Sequence, residues 1–245
     1  MSAQYDAIAA DYKRTKESPL RRYVEVCSFF RLLGDIRGKA LLDLACGEGF
    51  YTRQLKNAGA RDVLGVDISA EMIALAVEEE ERAPLGVRYA CFDVAQLELE
   101  ESFDLVTATY LLHYSASQAE LGEMCRRIAA HLKPGGRLVC INENPMQAAS
   151  DYAGYVQYGF NKSVDLPRVD GSPISYTMVS GRKMIRFNAY FYSLECYETA
   201  LKAAGFKDIQ WHDLQLDPVG INECGAEYFR EYLDNPPIAI LECSL

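Results

Sequence analysis

Between residues 39 and 142 the chain alternates short apolar runs with longer segments of helical spacing, and this alternation constrains the fold more than any other feature. Strands separated by helical crossovers form parallel sheets with helices packed on the faces. Residues 39–44 (KALLDL) predict a first strand and 62–68 a second, with 87–92, 103–109 and 137–142 as the third, fourth and fifth. Helices are expected over 50–57, from Ser69 onward, and over 117–132, where Leu121, Met124, Cys125, Ile128 and Leu132 repeat on one face. Ser69 is a suitable N-cap, and Glu71 places negative charge in the first turn, where the helix dipole favours it. Met72, Ile73, Ala76 and Val77 mark the inner face of that helix, and the acidic run 78–81 reads as its solvated end. The Pro134-Gly135-Gly136 turn is expected to separate the third helix from the fifth strand.

Two regions fall outside this alternation. Residues 1–33 read as helical, with Ser18-Pro19 restarting a helix as N-cap and first residue. Residues 144–192 read as an insertion, in which 174–180 and 183–191 form a hairpin around Gly181-Arg182. A helix over 193–204, a strand over 206–214 and a last strand over 237–243 complete the pattern. The expected fold is α/β: five parallel strands plus a C-terminal antiparallel pair, with a helical N-terminal lid and a small insertion. It is read as a single domain, divided into lid (1–33), cofactor-binding core (34–143), insertion (144–192) and the C-terminal part of the core (193–245).

Composition excludes several function classes. The formal charge is -10 and no stretch gathers Lys and Arg, so the phosphate-neutralising surface that nucleic acids require is missing. No run approaches the roughly 18 apolar residues that span a bilayer, and the first residues lack the apolar core of a secretion signal. A soluble, cytoplasmic protein without membrane partners is expected, as a monomer or weak homodimer. The eight cysteines show no CxxC spacing and the three histidines are scattered, which predicts reduced thiols and no metal site.

The chemistry is concentrated at the predicted strand ends. Asp43-Leu44-Ala45-Cys46-Gly47-Glu48-Gly49 closes the first strand and opens the first helix, where small residues let a ligand lie against the backbone and free N–H groups favour an anionic end. The dehydrogenase pattern GxGxxG fails here: counted from Ala45 the third small position is Phe50, and counted from Gly47 it is Thr52. No GK[ST] follows, so a P-loop is absent as well. Asp67, at the end of the second strand, is placed to accept hydrogen bonds from both hydroxyls of a ribose. Asp93, after the third strand, is placed to take an adenine amino group while the Val94 backbone reads the ring edge. Singly each acid reads equally well as a helix cap; three such features at successive strand ends point to one nucleoside pocket.

In order, DLACGEG, VLGVDIS, CFDV, FDLVTATYLLHY and LKPGGRLV resemble the motifs of the class I S-adenosylmethionine-dependent small-molecule methyltransferases, over residues 39–143 and more loosely the whole chain. The one departure is Ala45 where the family has the loop's first glycine. The resemblance implies a Rossmann-like methyltransferase sheet, with S-adenosyl-L-methionine as cofactor and S-adenosyl-L-homocysteine as product. It implies that Asp67 holds the ribose, Asp93 and Val94 the adenine, that Ala45, Cys46, Gly47 and Gly49 pass the methionine part, that Ile68 and Met72 pack on the adenosine, and that the Thr109 carbonyl receives the ammonium. The segment YDAIAADY is similar to the lid of small-molecule members, which implies that Tyr12 closes over the sulfonium, Arg22 reaches the carboxylate and Tyr5 faces the substrate; ordinary helix packing explains both tyrosines equally well. A narrower likeness, carried by YDAIAADYKRTKESPLRRY, the INENP turn and the YGF segment, is to the N-methyltransferases of toxoflavin biosynthesis, which implies a flat azapteridine acceptor.

A sulfonium already activates its methyl group, so the protein's task is to align a nucleophile and exclude water. A ring nitrogen needs no strong base, whereas a phenol or carbon wants a proton acceptor. His113 is the candidate general base, with a plain loop hydrogen bond as its alternative role. Tyr110 and Tyr114 beside it, and Glu143 and Asn144 at the end of the fifth strand, are candidates for orienting the substrate. Tyr152, Tyr155, Tyr158, Phe160, Tyr176, Phe187, Tyr190, Phe191 and Tyr192 crowd the insertion; most should pack a small core, with two or three, Tyr176 and Tyr192 among them, stacking on a flat ring. The classes left open are O- or C-methyl transfer to another small aromatic molecule, methyl transfer to a macromolecule, an NAD-dependent oxidoreductase, and a binding module without an acceptor site.

Overall fold

The computed structural model describes residues 18–180 and 183–245. Strands β1 (Ala40–Leu44), β2 (Asp62–Asp67), β3 (Arg88–Cys91), β4 (Phe103–Thr109) and β5 (Leu132–Glu143) pair in parallel. Beyond an excursion into β6 (Phe160–Val164), β7 (Pro173–Ser180) and β8 (Lys183–Tyr190), β9 (Lys207–His212) and β10 (Ile238–Ser244) return to the same sheet. Its seven strands run in the order β3-β2-β1-β4-β5-β10-β9. β10 is antiparallel to both β5 and β9, so it alone is reversed; the expected C-terminal antiparallel pair is present, with β9 pointing the same way as the five parallel strands. The chain order reverses between β1 and β4, which opens a crevice at the carboxyl edge of the sheet.

The crossover helices follow the apolar spacing. α1 (Val26–Leu33) continues a π-helical turn over Arg21–Glu25, and α2 (Phe50–Asn57) follows the β1 loop. α3 (Ala70–Arg82) is capped by Ser69, whose Oγ accepts the Met72 N–H at 3.2 Å. Met72 and Ala76 are buried as expected, but Val77 lies outward. Glu80 also departs from the solvated end expected of 78–81: its carboxylate ion-pairs with Arg53 and accepts the N–H groups of Leu85, Gly86 and Val87. α4 (Gln118–Ala130) buries Leu121, Met124, Cys125 and Ile128.

Three features depart from the sequence pattern. β5 begins at Leu132, not 137, because a register shift opposite Phe103/Leu105 absorbs Pro134-Gly135-Gly136 inside the strand. β6 carries the mixed sequence FNKSV, too polar for the apolar-run criterion, and pairs with β7 to make a second, three-stranded sheet in the order β6-β7-β8. After α5 (Leu194–Ala203), two short helices, α6 (Pro218–Cys224) and α7 (Ala226–Asp234), fill the stretch before β10. They dock the N-terminal helix: the Asp217 N–H donates to the Tyr23 carbonyl at 2.8 Å, the Gln215 N–H to Ser28 Oγ at 2.7 Å, and the Tyr23 ring meets Phe229 edge-on.

Candidate active site

The loop after β1 bends sharply. Ala45, Gly47 and Gly49 all have positive φ, at 54°, 57° and 84°. Ala45 bears a Cβ in the left-handed region, a local strain that persists where surrounding structure fixes the backbone. Beneath the loop, the wholly buried Asp43 carboxylate accepts the hydroxyls of Thr52 at 2.6 Å and Thr107 at 2.7 Å, tying β1 to α2 and β4. Gly49 has no room for a side chain: a Cβ there would strike the Tyr89 hydroxyl and lie 2.9 Å from its ring carbon Cζ.

The strand-end acids converge on this loop. Asp67 Oδ2 accepts the Gly47 N–H at 2.8 Å and Oδ1 the Ser69 N–H at 2.9 Å. β3 lies beside β2 in the register Asp67↔Cys91, and the Phe92 N–H donates to the Asp67 carbonyl, so Asp93 follows directly on the next strand end. Asp93 also caps the 3-10 turn Val94–Gln96, its Oδ1 accepting the Ala95 N–H at 2.9 Å. Cys46, Val94, Met72 and Thr109 are buried around this edge, and Ile68 is half-buried. A carboxylate acceptor beside a side-chain-free bend, with apolar residues flanking it, fits a nucleoside joined to an amino-acid tail.

Next to this edge lies a cavity of about 240 Å³. It is lined by Arg21, Glu25 and Tyr232, by Tyr110, His113 and Tyr114 after β4, and by Phe160, Tyr176 and Phe187 of the three-stranded sheet. Tyr176 and Phe187 lie parallel, 5.1 Å between ring centroids and 3° between planes, because β7 and β8 set them opposite each other. Four aromatics of the insertion (Tyr158, Phe160, Tyr176 and Phe187) line the cavity, while Tyr152, Tyr155, Phe191 and Tyr192 are buried in packing. Tyr110 takes φ 63° immediately after β4, and its hydroxyl donates to Glu25 Oε2 at 2.7 Å. Glu25 also accepts from Tyr232 at 3.4 Å and ion-pairs with Arg21 at 3.0 Å, both partners being buried. Burial, together with the Glu25 charge, pushes the Tyr110 and Tyr232 hydroxyls well above the usual phenol range, so both stay protonated donors.

Several residues singled out in the sequence take other places. Arg22 is exposed, its guanidinium 4.9 Å from the centroid of the Tyr23 ring; the π-helical turn directs its neighbour Arg21 into the cavity. Asn144 shapes the turn after β5, with Oδ1 accepting the Met146 N–H at 3.0 Å and Nδ2 donating to the Pro236 carbonyl at 2.9 Å. Tyr192 points into the main core, donating to the Ser115 carbonyl at 2.8 Å and packing on Tyr197. His113 lines the cavity, but its Nδ1 already accepts the Glu143 N–H at 3.2 Å, and burial pushes its pKa down to about 3. A neutral imidazole with that lone pair engaged is a weak proton acceptor, so the geometry replaces the general base with a support for Glu143. Tyr5 and Tyr12 lie outside the described residues. The sequence reading missed Arg21, Glu25, Tyr232 and Lys162. The signal for Lys162 was the period-two set Phe160, Lys162, Val164, legible only once β6 is recognised as a strand.

The sheet order and the strand-edge acids beside a lean loop are those of a Rossmann-like methyltransferase fold. The methyltransferase-domain family profile matches residues 41–136. N-demethylindolmycin N-methyltransferase of Streptomyces griseus is 30% identical over 183 residues, 73% of each chain. Among solved structures, an S-adenosylmethionine-dependent methyltransferase from Mesorhizobium loti aligns at a TM-score of 0.66 and 20% identity, covering 94% of this chain and all of that one. A complex described as DhpI-SAM-HEP aligns at 0.66 and 20% identity, covering 98% and 93%. The chain belongs to the class I S-adenosylmethionine-dependent small-molecule methyltransferases, and its cofactor is S-adenosylmethionine. Among the described residues no group of His, Cys, Asp and Glu is arranged for a metal, no helix is long and apolar enough to cross a membrane, and all eight cysteines are free.

Proposed function

We propose that this chain methylates a ring nitrogen of a small, flat heteroaromatic acceptor held in the cavity between β4 and the three-stranded sheet, an azapteridine such as a toxoflavin precursor being the first candidate. The observation that carries this reading is the cavity wall itself: parallel aromatic rings suited to stacking, together with two tyrosines whose hydroxyls are bonded to carboxylates. Stacking holds a planar ring, and hydroxyl oxygens whose protons are already given to carboxylates accept the N–H groups of a heterocycle. The relative whose name specifies N-methyl transfer supports nitrogen over oxygen or carbon.

In this reading Asp67 holds the ribose, Asp93 and Val94 the adenine, Ile68 and Met72 the adenosine face, the bend from Ala45 to Gly49 the methionine part, and the Thr109 carbonyl its ammonium. When bound, S-adenosylmethionine supplies the methyl group, the S–C electron pair remaining on sulfur. The chain's own contribution is alignment, water exclusion and the handling of one proton. Residues 34–143 act as the cofactor-binding core and 144–192 as the acceptor-binding insertion, and the free thiols favour a reducing, cytoplasmic setting.

Transfer of labelled methyl to a panel of azapteridines, pteridines and indoles tests the proposal, with mass spectrometry locating the new methyl. Label on a ring nitrogen of a bicyclic heterocycle is the expected result. Label confined to oxygen or carbon, or to none of the panel, overturns it.

A further inference from the structure

Lys162 sits in the middle of β6, opposite Tyr176 of β7. Its side chain has no solvent exposure and ion-pairs with Glu143, the last residue of β5, which is 3% exposed. Nζ also donates to the Pro237 carbonyl at 3.3 Å and lies 4.1 Å from the centroid of the Tyr152 ring. The other Glu143 oxygen accepts the Tyr176 hydroxyl, and Tyr176 lines the cavity. A continuous path therefore runs from the cavity through a hydroxyl to a carboxylate and on to a buried ammonium.

Burying such a pair costs more in desolvation than an apolar contact of the same shape, so strand docking alone does not call for it. At the wall of an acceptor cavity the path has a chemical use. We propose that Tyr176, Glu143 and Lys162 form the relay that takes the proton from the acceptor nitrogen during methyl transfer, an inference that rests on the N-methylation reading above. The nitrogen lone pair forms the new N–C bond. The N–H bond breaks in the same step, leaving its electron pair on nitrogen, and the proton passes to the Tyr176 oxygen as the Tyr176 proton passes to Glu143. Tyr176 and Glu143 are catalytic in this scheme. Lys162 is a positioning residue: it supplies the counter-ion that lets a carboxylate persist in a buried place.

A second tyrosine–carboxylate pair of the cavity offers a contrast. There Tyr110 also meets a carboxylate and a cation, Glu25 and Arg21. A guanidinium does not surrender its proton, and it holds Glu25 as a fixed charge. With Tyr110, Tyr232 and Arg21 all on Glu25, this group is built to grip the ring, and the proton is assigned to Tyr176 and Glu143.

The test uses lumazine, a pteridinedione with ring N–H groups, as acceptor in single-turnover transfer of labelled methyl. Wild type is expected to methylate it at a rate nearly flat between about pH 7 and pH 9. Tyr176→Phe is expected to lower the rate about 100-fold and make it rise about tenfold per pH unit, as hydroxide replaces the relay. Its KM for lumazine should change less than about threefold, and its affinity for S-adenosylhomocysteine, which reports folding, should hold. Lys162→Arg is expected to keep the ion pair and the flat pH profile and Lys162→Met to lose that profile, while Tyr110→Phe should raise KM and leave the profile flat. A Tyr176→Phe rate within about threefold of wild type, or an unchanged pH profile, overturns the relay alone. No transfer by wild type to lumazine or to any other heterocycle of the panel overturns the heterocycle reading, and the relay with it; where another member is the acceptor, the same variants are read on that member.

Discussion

The Glu143 N–H donates to Nδ1 of His113 across 3.2 Å, joining the end of β5 to the 3-10 turn Leu112–Tyr114. This bond fixes the tautomer, since a neutral ring that accepts on Nδ1 carries its proton on Nε2. It also fixes the backbone from which the Glu143 carboxylate reaches Tyr176 and Lys162. His113 therefore acts on the cavity through Glu143.

His113 should leave a signature in the pH dependence of stability. Burial pushes its folded pKa down to about 3, while the unfolded chain titrates near 6.5. Between those values the unfolded state binds the extra proton, so stability is complete above about pH 6.5 and is lost as pH falls toward 3. The loss approaches about 1.4 kcal/mol per pH unit in that window. Denaturant unfolding of wild type and His113→Gln at several pH values between 7 and about 4.5 should show a flatter profile for the variant. Parallel profiles would mean that the ring takes up its proton without unfolding.

Tyr89 packs under two glycines, Gly49 and Gly65, and its hydroxyl is buried with no hydrogen-bond partner among the described residues. Burial raises that hydroxyl above the usual phenol range, outweighing the nearby Arg53 charge. An unpaired buried hydroxyl carries a desolvation penalty of about 1–3 kcal/mol. Tyr89→Phe keeps the ring and removes the penalty, so it should be neutral or stabilising by about 1 kcal/mol in urea unfolding. Gly49→Ala, by contrast, drives a Cβ into the same ring from a backbone at φ 84° and should cost at least about 2 kcal/mol. A destabilised Tyr89→Phe would reveal a partner for the hydroxyl.

The parallel core was legible because buried strands and amphipathic helices write different periods, and each strand end carried its own polar residue. α2 and β4 match the expected bounds residue for residue. The acceptor side was less legible for a physical reason. Its polar groups sit on elements with weak periodicity, a π-helical turn and the short mixed strand β6, and their meaning lies in contacts distant in sequence, such as Lys162 with Glu143 and Arg21 with Tyr110. Arg22 and Arg21 differ by one position, and only the turn geometry decides which faces inward. Tyr192 shows the same limit: aromatic crowding marks a packed region without saying which rings border a cavity.

Asp67 serves both loop and ligand. With Gly47 and Ser69 bonded to its two oxygens, removal should loosen the bend as well as the grip on the ribose. Asp67→Ala is expected to weaken S-adenosylhomocysteine binding at least about tenfold in titration calorimetry, equivalent to about 1.4 kcal/mol. Asp67→Asn should retain part of the loop geometry and lose less. Wild-type affinity in Asp67→Ala would displace the nucleoside from this strand edge.

Glu80 closes α3 onto the turn that leads to β3. Its Oε1 accepts the N–H groups of Leu85 at 2.6 Å, Gly86 at 2.7 Å and Val87 at 3.2 Å, and Oε2 pairs with Arg53, each side chain being 15% exposed. Burial alone would raise this carboxyl's pKa, but the three N–H bonds and Arg53 outweigh it and hold the group below the usual glutamate range. A depressed folded pKa means that the stabilisation is present above the unfolded value, near 4.5, and disappears as pH falls through the folded value. Glu80→Gln keeps the shape, replaces one acceptor oxygen with a donor amide and leaves Arg53 without its counter-charge. It should cost about 1–3 kcal/mol in unfolding free energy at neutral pH. Below about pH 4.5 the unfolded chain takes up this proton before the folded one does, so the gap between the two proteins should narrow. A gap that stays constant into acid would show that shape, and not charge, is what Glu80 contributes.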